Sequence, residues 1–404
     1  MIFVGIDWAS KEHTIHVLDH DGQLCKQLQV PHSGDGFAQL ARQLHELEPQ
    51  PQHVHVGIES HNGPLMDWLH NQAYSVYPIN PKSAAKGRGL FRASDAKDDP
   101  FDAETLARLV FMKVPRPSPR LPDGQPHQTL EDLLRFRENL VQEKSDLLRR
   151  LGALLQTWAP TLAALCVDLD SRWQRDLLRR WPLCCDLQNA HPNTLTAFAK
   201  KHRLAAKTRA RLTHARQQTP VPILPARQDI LRWEIHRLLD RLERVLAELD
   251  EVGQTMTVLT QADPRAPLVA SLPAVGPISQ AALLVALSQA EARGDDWRSL
   301  AAYTGMAPVT KQSGKYRLVR HRRACDHLLR RLLTYYAFQT ILQSHCWASE
   351  DYKRRRAKGA SHHTALRAIG RRWIKIACAV WRTQTPYSEE YFRQAQKRHT
   401  QRAA

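Results

Sequence analysis

Residues 2 to 7, Ile-Phe-Val-Gly-Ile-Asp, form an apolar run that ends in a carboxylate. A short run that is apolar on both parities reads as a strand covered on both faces. The residues after it supply its neighbours. Thr14 to Leu18 and Gln23 to Val30 read as two more strands, turned at Asp21-Gly22. Phe37, Leu40, Ala41 and Leu44 recur at helical spacing, and Val54 to Ile58 is a fourth strand, followed by Glu59. Leu65, Trp68 and Leu69 mark one side of a short helix, and Ser75 to Ile79 is a fifth strand.

Three strands in hairpins, then helix, strand, helix, strand, helix is the order of the ribonuclease H-like fold. In that fold Asp7 lies on the central first strand and Glu59 at the end of the neighbouring fourth. The next helix predicts the rest of the site. Pro is welcome at the first position of a helix, so Asp99-Pro100-Phe101-Asp102-Ala103 predicts a helix from Pro100 through Leu106, Leu109 and Val110. Residues three apart share a face, so Asp99 and Asp102 can point at one place. Asp98 and Asp102 are four apart, so spacing does not choose between Asp98 and Asp99, and Asp95 is a further candidate. An N-cap acid followed by an acid three residues on also explains the pair without any chemistry. With Asp7 and Glu59 added, four carboxylates suit Mg²⁺, a cation that takes oxygen ligands and leaves room for phosphate.

The 404 residues are enough for two or three domains, and 58 Lys and Arg against 40 acids leave a formal charge of +18. That excess suits a polyanion, most commonly nucleic acid. No apolar run approaches the ~20 residues of a membrane span, and Met1-Ile2-Phe3-Val4 enters a strand without the basic region of a secretory signal. Seven scattered cysteines with no C-x-x-C pair suit a reducing cytoplasm rather than a zinc site. The expected location is the bacterial cytoplasm, with the nucleoid.

A Pro-rich linker at 116–126 separates an acidic-tetrad domain, 1–115, from a helical, coiled-coil-like region with an insertion, 127–264. Two leucine stripes define that region. One runs from Leu130 to Leu155 and includes Phe136; the other runs from Ile230 to Leu249. Trp158, Trp173, Trp181 and Phe198 between them read as core. A mostly helical domain spans 265–385, and 386–404 reads as a basic tail. Lys311 to Arg331 carries eight Lys and Arg and one acid, and 353–375 carries nine and none, a balance that favours phosphate contact over a plain solvated face. Lys311, Lys315, Arg317, Arg320, Arg322, Arg323, Arg330 and Arg331 are the expected nucleic-acid contacts. Ser313, beside Gly314 and among these cations, is a candidate attacking hydroxyl, although spacing alone favours a simple turn at Ser313-Gly314.

The ordered set of motifs resembles the DEDD transposases of insertion sequences guided by a bridge RNA, the IS110 family. The matching stretches are Val4-Gly5-Ile6-Asp7, Gly57-Ile58-Glu59, Asn80-Pro81, Lys97 to Ala103, Leu106-Ala107, Leu272 to Pro277, Ala302 to Pro308, Gln312-Ser313-Gly314 and Leu328 to Leu333. The resemblance implies a RuvC-like N-terminal domain and a helical transposase domain. It assigns Asp7, Glu59, Asp99 and Asp102 to an acidic tetrad that binds Mg²⁺, so Asp99 rather than Asp98. It makes Ser313 the nucleophile, joined to the tetrad in a composite site of a dimer or tetramer. It implies donor and target DNA and a structured guide RNA as partners, and strand exchange through a covalent phosphoserine. Two departures stand out: Asp98 replaces the family's usual Thr, and Arg322 to Asp326 replaces a small turn. The rival enzyme is a Mg²⁺-dependent RuvC-like nuclease or Holliday-junction resolvase with no covalent intermediate; the non-enzymatic rival is a nucleic-acid-binding protein on a degenerate nuclease fold. A tyrosine nucleophile at 303, 316, 335 or 336 is a lesser variant.

Overall fold

The computed structural model describes residues 1–59, 63–79, 81–91, 98–113, 125–291, 296–314 and 316–403. Asn80, Asp95, Lys97, Lys315 and the linker up to residue 124 lie outside them. Contacts divide the chain into two units, one of 1–128, 267–274 and 283–404, the other of 129–266 and 275–282.

The first unit opens with β1 (Ile2–Asp7), β2 (Glu12–Leu18), β3 (Leu24–Pro31), α1 (Gly34–Leu47), β4 (Val54–Ile58), α2 (Pro64–Asn71), β5 (Ser75–Pro78), α3 (Pro81–Phe91) and α4 (Asp99–Phe111). The sheet order is β3-β2-β1-β4-β5. β2 is antiparallel to both β1 and β3, whereas β4 is parallel to β1 and β5 to β4. The five-strand α/β reading from the sequence holds, and β1 is central and covered on both faces. Val4 and Ile6 pack with Phe37, Leu40 and Leu44 of α1 and Leu65 and Leu69 of α2. Phe3, on the other parity, packs with Leu106, Leu109 and Val110 of α4.

Two glycines let α4 lie directly on the sheet. A Cβ at Gly5 would sit 1.9 Å from the Ala103 carbonyl oxygen, and one at Gly57 would sit 2.6 Å from Val110 Cγ2 and 2.8 Å from the Leu106 carbonyl. Ala103 therefore lies over Gly5, while the Phe111 ring meets Phe3 edge-on at 5.3 Å. The helix runs antiparallel to β1, and its first turn sits at the carboxyl end of the strands.

The second unit holds the long helices α5 (Gln125–Trp158) and α11 (Pro225–Ala262). Between them come α6 (Pro160–Leu165), α7 (Arg172–Arg180), α8 (Cys184–Gln188), α9 (Pro192–Lys201) and α10 (Ala206–Gln217). Most of the two leucine stripes is buried, but Phe136 and Ile230 are exposed, so neither belongs to the stripe expected of it. Trp181 and Phe198 are buried and meet edge-on at 5.4 Å, as core. Arg179 of α7 reaches Asp240 and Glu243 of α11, each at 2.8 Å, which ties the short helices to the long one.

The chain continues through α12 (Ala266–Ala270), α13 (Pro277–Glu291), α14 (Trp297–Tyr303), β6 (Val309–Ser313), β7 (Tyr316–Arg320), α15 (His327–Ile341), α16 (Trp347–Ala357), α17 (His362–Thr383) and α18 (Glu389–Ala403). The stretch expected as a tail is thus largely a helix. α15 to α17 pack around Trp373, whose Nε1 donates to Thr340 Oγ1 at 2.9 Å and whose ring meets the buried Tyr336 at 5.8 Å. Among the described residues no helix is long and apolar enough to cross a membrane.

Candidate active site and nucleic-acid interface

Asp7 ends β1, and Glu59 follows the last residue of β4. The register pairs Ile6 with Ile58, so these two acids leave neighbouring parallel strands side by side. Parallel strands lie ~4.8 Å apart, which puts the two chain positions within reach of one ion. Both side chains are half-buried. The third acid comes from α4. Asp102 precedes Ala103, the residue that lies over Gly5, so it enters from above the same strand end. Asp102 is 6 % exposed and accepts from Arg88 Nη1 of α3 at 2.9 Å. Asp99 stands one turn earlier and is exposed.

The helix begins at Asp99, one residue before the expected start. Its N-cap is Asp98, whose carboxylate accepts from the Phe101 N–H at 2.8 Å. Capping therefore occupies Asp98 and leaves Asp99 and Asp102 inside the first turn. The cap is therefore Asp98, one residue before the Asp99 that the capping reading of the Asp99–Asp102 pair offered.

Sequence reasoning missed Arg88 and His13. His13 on β2 is wholly buried; its Nδ1 accepts from the N–H of Ala9, two residues past Asp7, and its Nε2 lies 2.8 Å from His32 Nδ1. Nδ1 can accept only when unprotonated, so Nε2 carries the hydrogen and donates to His32. Burial first, and the neighbouring His32 second, lower the His13 pKa from 6.5 to about 4. A neutral His13 thus braces the backbone that leaves Asp7. No sequence signal marks either residue, because each acts through tertiary packing.

The acids on these elements carry carboxylate oxygens, the chemistry that Mg²⁺ takes. Among the described residues no three acidic, His or Cys side chains stand close enough to hold an ion as they are. Arg88 supplies the positive charge facing Asp102.

Ser313 lies on none of these elements. It ends β6 in an exposed two-stranded ribbon and is paired in register with Tyr316 of β7. Gly314, at φ +54, begins the turn. Lys311, Arg317 and Arg320 are exposed along the ribbon, Arg323 and Arg331 are exposed after it, and Arg322 and Arg330 are half-buried. The second basic stretch is partly neutralised in space: buried Asp351 pairs with Arg354 and, at 2.9 Å, with Arg355. Its apparent lack of acids reflects the choice of window, since the acid lies two residues before 353.

The comparisons bear on this arrangement directly. The profile of the DEDD transposases of the IS110 family matches residues 4–160, which contain all four acids. That of the IS116/IS110/IS902 transposases matches 266–354, which contain Ser313. The sheet, the acid-bearing helix and these matches define a DEDD transposase. The chain belongs to the IS110 family of insertion-sequence transposases. It is 26% identical over 387 residues to the mini-circle protein assigned as transposase of IS117 in Streptomyces coelicolor, covering 92% of each chain. It is 28% identical over 398 residues to an uncharacterised 43.6 kDa protein of IS110 from Streptomyces coelicolor, covering 96% of this chain and 95% of that one. With an uncharacterised 44.8 kDa protein of IS116 from Streptomyces clavuligerus it shares 24% over 390 residues, 94% of each.

Proposed function

We propose that this chain cuts and rejoins DNA strands for an insertion sequence, through a phosphoserine at Ser313 and an acidic tetrad of Asp7, Glu59, Asp99 and Asp102. The carrying observation is the seating of α4 on Gly5 and Gly57, which brings the first turn of that helix to the strand ends bearing Asp7 and Glu59. The sheet is then a ribonuclease H-like, RuvC-like domain. The tetrad would hold Mg²⁺, which when bound neutralises the scissile phosphate. Arg88 would release Asp102 to that charge and turn toward the substrate phosphate.

Ser313 Oγ loses its proton and bonds to phosphorus, and the phosphorus–oxygen bond to the leaving strand breaks. That strand end takes a proton and departs as a hydroxyl. The ester keeps the bond energy, so a second strand end reverses the step without ATP. Lys311 and Arg317 beside the serine stabilise the charge on the phosphate oxygens. Ser313 and the acids lie on separate elements, which suits a composite site between copies of the chain in a dimer or tetramer. A guide RNA pairing with donor and target DNA would supply specificity, since a chain of this charge grips phosphate without reading bases.

The test is denaturing gel analysis of Mg²⁺-dependent reactions on DNA carrying the element's ends and its RNA. The wild type yields a protein–DNA adduct that phosphoamino-acid analysis identifies as phosphoserine. Ser313→Ala abolishes the adduct, and Asp102→Asn abolishes adduct and cleavage together. Mg²⁺-dependent cleavage that survives Ser313→Ala would mean that water is the nucleophile, as in a junction resolvase.

A further inference from the structure

Beside the ribbon, α15, α17 and the loop after β7 enclose an open cavity of about 670 Å³. Its volume falls within the range of about 300–1,000 Å³ typical of small-ligand sites. Arg322, Arg330, Arg331 and Arg367 line it with four histidines, and no carboxylate is among its lining residues. Arg322 Nε is buried and meets no acceptor among the described residues. Arg330 reaches no carboxylate in the hydrogen bonds seen, only His327 Nδ1 at 2.9 Å and Cys325 Sγ at 3.6 Å, and Arg367 reaches Thr364 Oγ1 at 3.4 Å. Three arginines elsewhere in the domain differ. Arg354 and Arg355 sit on Asp351, and Arg393 sits on Glu350 and Glu389. Buried donors without acceptors are costly, and clustered cations repel. Burial first, then the charge of Arg330, lowers the pKa of Arg367, as expected where no anion is at hand.

One wall has a different chemistry. Arg331, Tyr335 and Phe338 fall on one face of α15, and Tyr335 is 53 % exposed. An open aromatic beside a fork of guanidiniums matches a nucleotide, whose base stacks while its phosphate takes paired N–H donors. The base of a duplex is not free to stack there.

The geometry points to a site for one unpaired nucleotide of a single-stranded nucleic acid, its phosphate held by Arg322, Arg330 and Arg367 and its base on Tyr335. This rests on the nucleic-acid role proposed above and extends it from a charged surface to a built pocket.

The test is binding of a fluorescein-labelled 15-mer, as single-stranded DNA, as RNA of the same sequence and as duplex DNA. It uses the full chain carrying Asp102→Asn, without divalent metal, so that a failure of the cleavage chemistry cannot affect it. Arg322→Gln and Arg367→Gln should each weaken single-strand binding about tenfold and lower its salt slope by about 0.7. Tyr335→Ala should weaken it with the salt slope unchanged, and Tyr335→Phe should restore it. Arg382→Gln, an exposed cation elsewhere on α17, should change it less than twofold. A strand carrying 5-iodouracil should crosslink to the peptide containing Tyr335. Preference for DNA or for RNA identifies which strand uses the pocket. Thermal melting within 2 °C of the parent would show that the variants fold. If folded Arg322→Gln and Arg367→Gln bind like Arg382→Gln, the site does not hold nucleic acid. If duplex binding falls equally, or inorganic phosphate alone raises the melting temperature while the strand ignores every variant, the base plays no part and the inference fails.

Discussion

At the scale of single residues, two adjacent acids that look alike in sequence are placed differently. Asp98 caps α4, so Asp98→Ala should cost about 1 kcal/mol of stability. Asp99 is exposed, and Asp99→Asn should leave melting within about 0.5 kcal/mol of the parent. Under the proposed chemistry, Asp99→Asn slows cleavage by about a hundredfold or more, whereas Asp98→Ala slows it far less. Melting and cleavage measured on both variants separate the roles, and a reversed pattern would exchange them. His13 makes a second prediction. Its pKa falls from 6.5 to about 4 on folding, so the folded chain holds it neutral. Below 6.5 the unfolded chain binds a proton that the folded chain refuses, so stability is full above 6.5 and declines as pH falls toward 4. The full difference is about 3 kcal/mol. Melting followed from pH 7.5 to 4 should show this decline, and His13→Gln should flatten it; an unchanged slope in the variant would remove His13 as its source.

At the scale of elements, the helix–sheet contact and the basic ribbon each depend on a glycine. Gly5→Ala would press a methyl into the backbone of Ala103, which cannot swing aside as a side chain would. The expected cost is at least about 1–3 kcal/mol, with cleavage lost as α4 lifts. Gly34→Ala, with nothing within 4 Å, is the control that should leave melting unchanged. Gly314 holds φ at +54 in a two-residue turn, where a Cβ costs about 1–2 kcal/mol. Gly314→Ala should reduce adduct formation by fraying the end that carries Ser313, with DNA binding by the rest of the domain kept; equal loss of both would mean a general unfolding. The sheet was legible in the sequence because burial on both faces leaves apolar runs, and the start of α4 to within one residue because Pro100 marks a first turn; the cap was not, since it is Asp98 rather than Asp99. The ribbon was not legible. Val309 to Ser313 and Tyr316 to Arg320 are mostly exposed and polar, so no alternation of apolar and polar residues marks them as strands. Phe136 and Ile230 fit their stripes by period and still face water, because period places a residue on a helix and only the neighbours bury it.

At the scale of the molecule, the charge of +18 has to be divided between pairs that hold the fold and cations that hold phosphate. Counting along the chain cannot divide it, as Asp351 shows by pairing with arginines that a sequence window leaves without an acid. Cations in the first group release no counterions on binding; those in the second release about one each and appear in the salt dependence. Duplex binding should therefore fall steeply between 50 and 200 mM salt, roughly by the factor of 10³ that six or more phosphate contacts imply. Lys311→Gln with Arg317→Gln, both on the ribbon, should lower the slope by about 1.8. Arg354→Gln, whose partner is an internal carboxylate, should lower melting and leave the slope alone. Slopes read from fluorescence anisotropy at five salt concentrations decide it. If the ribbon pair leaves the slope unchanged while Arg354→Gln lowers it, the division drawn between structural and phosphate-binding cations is wrong, and the ribbon does not lie along the DNA backbone.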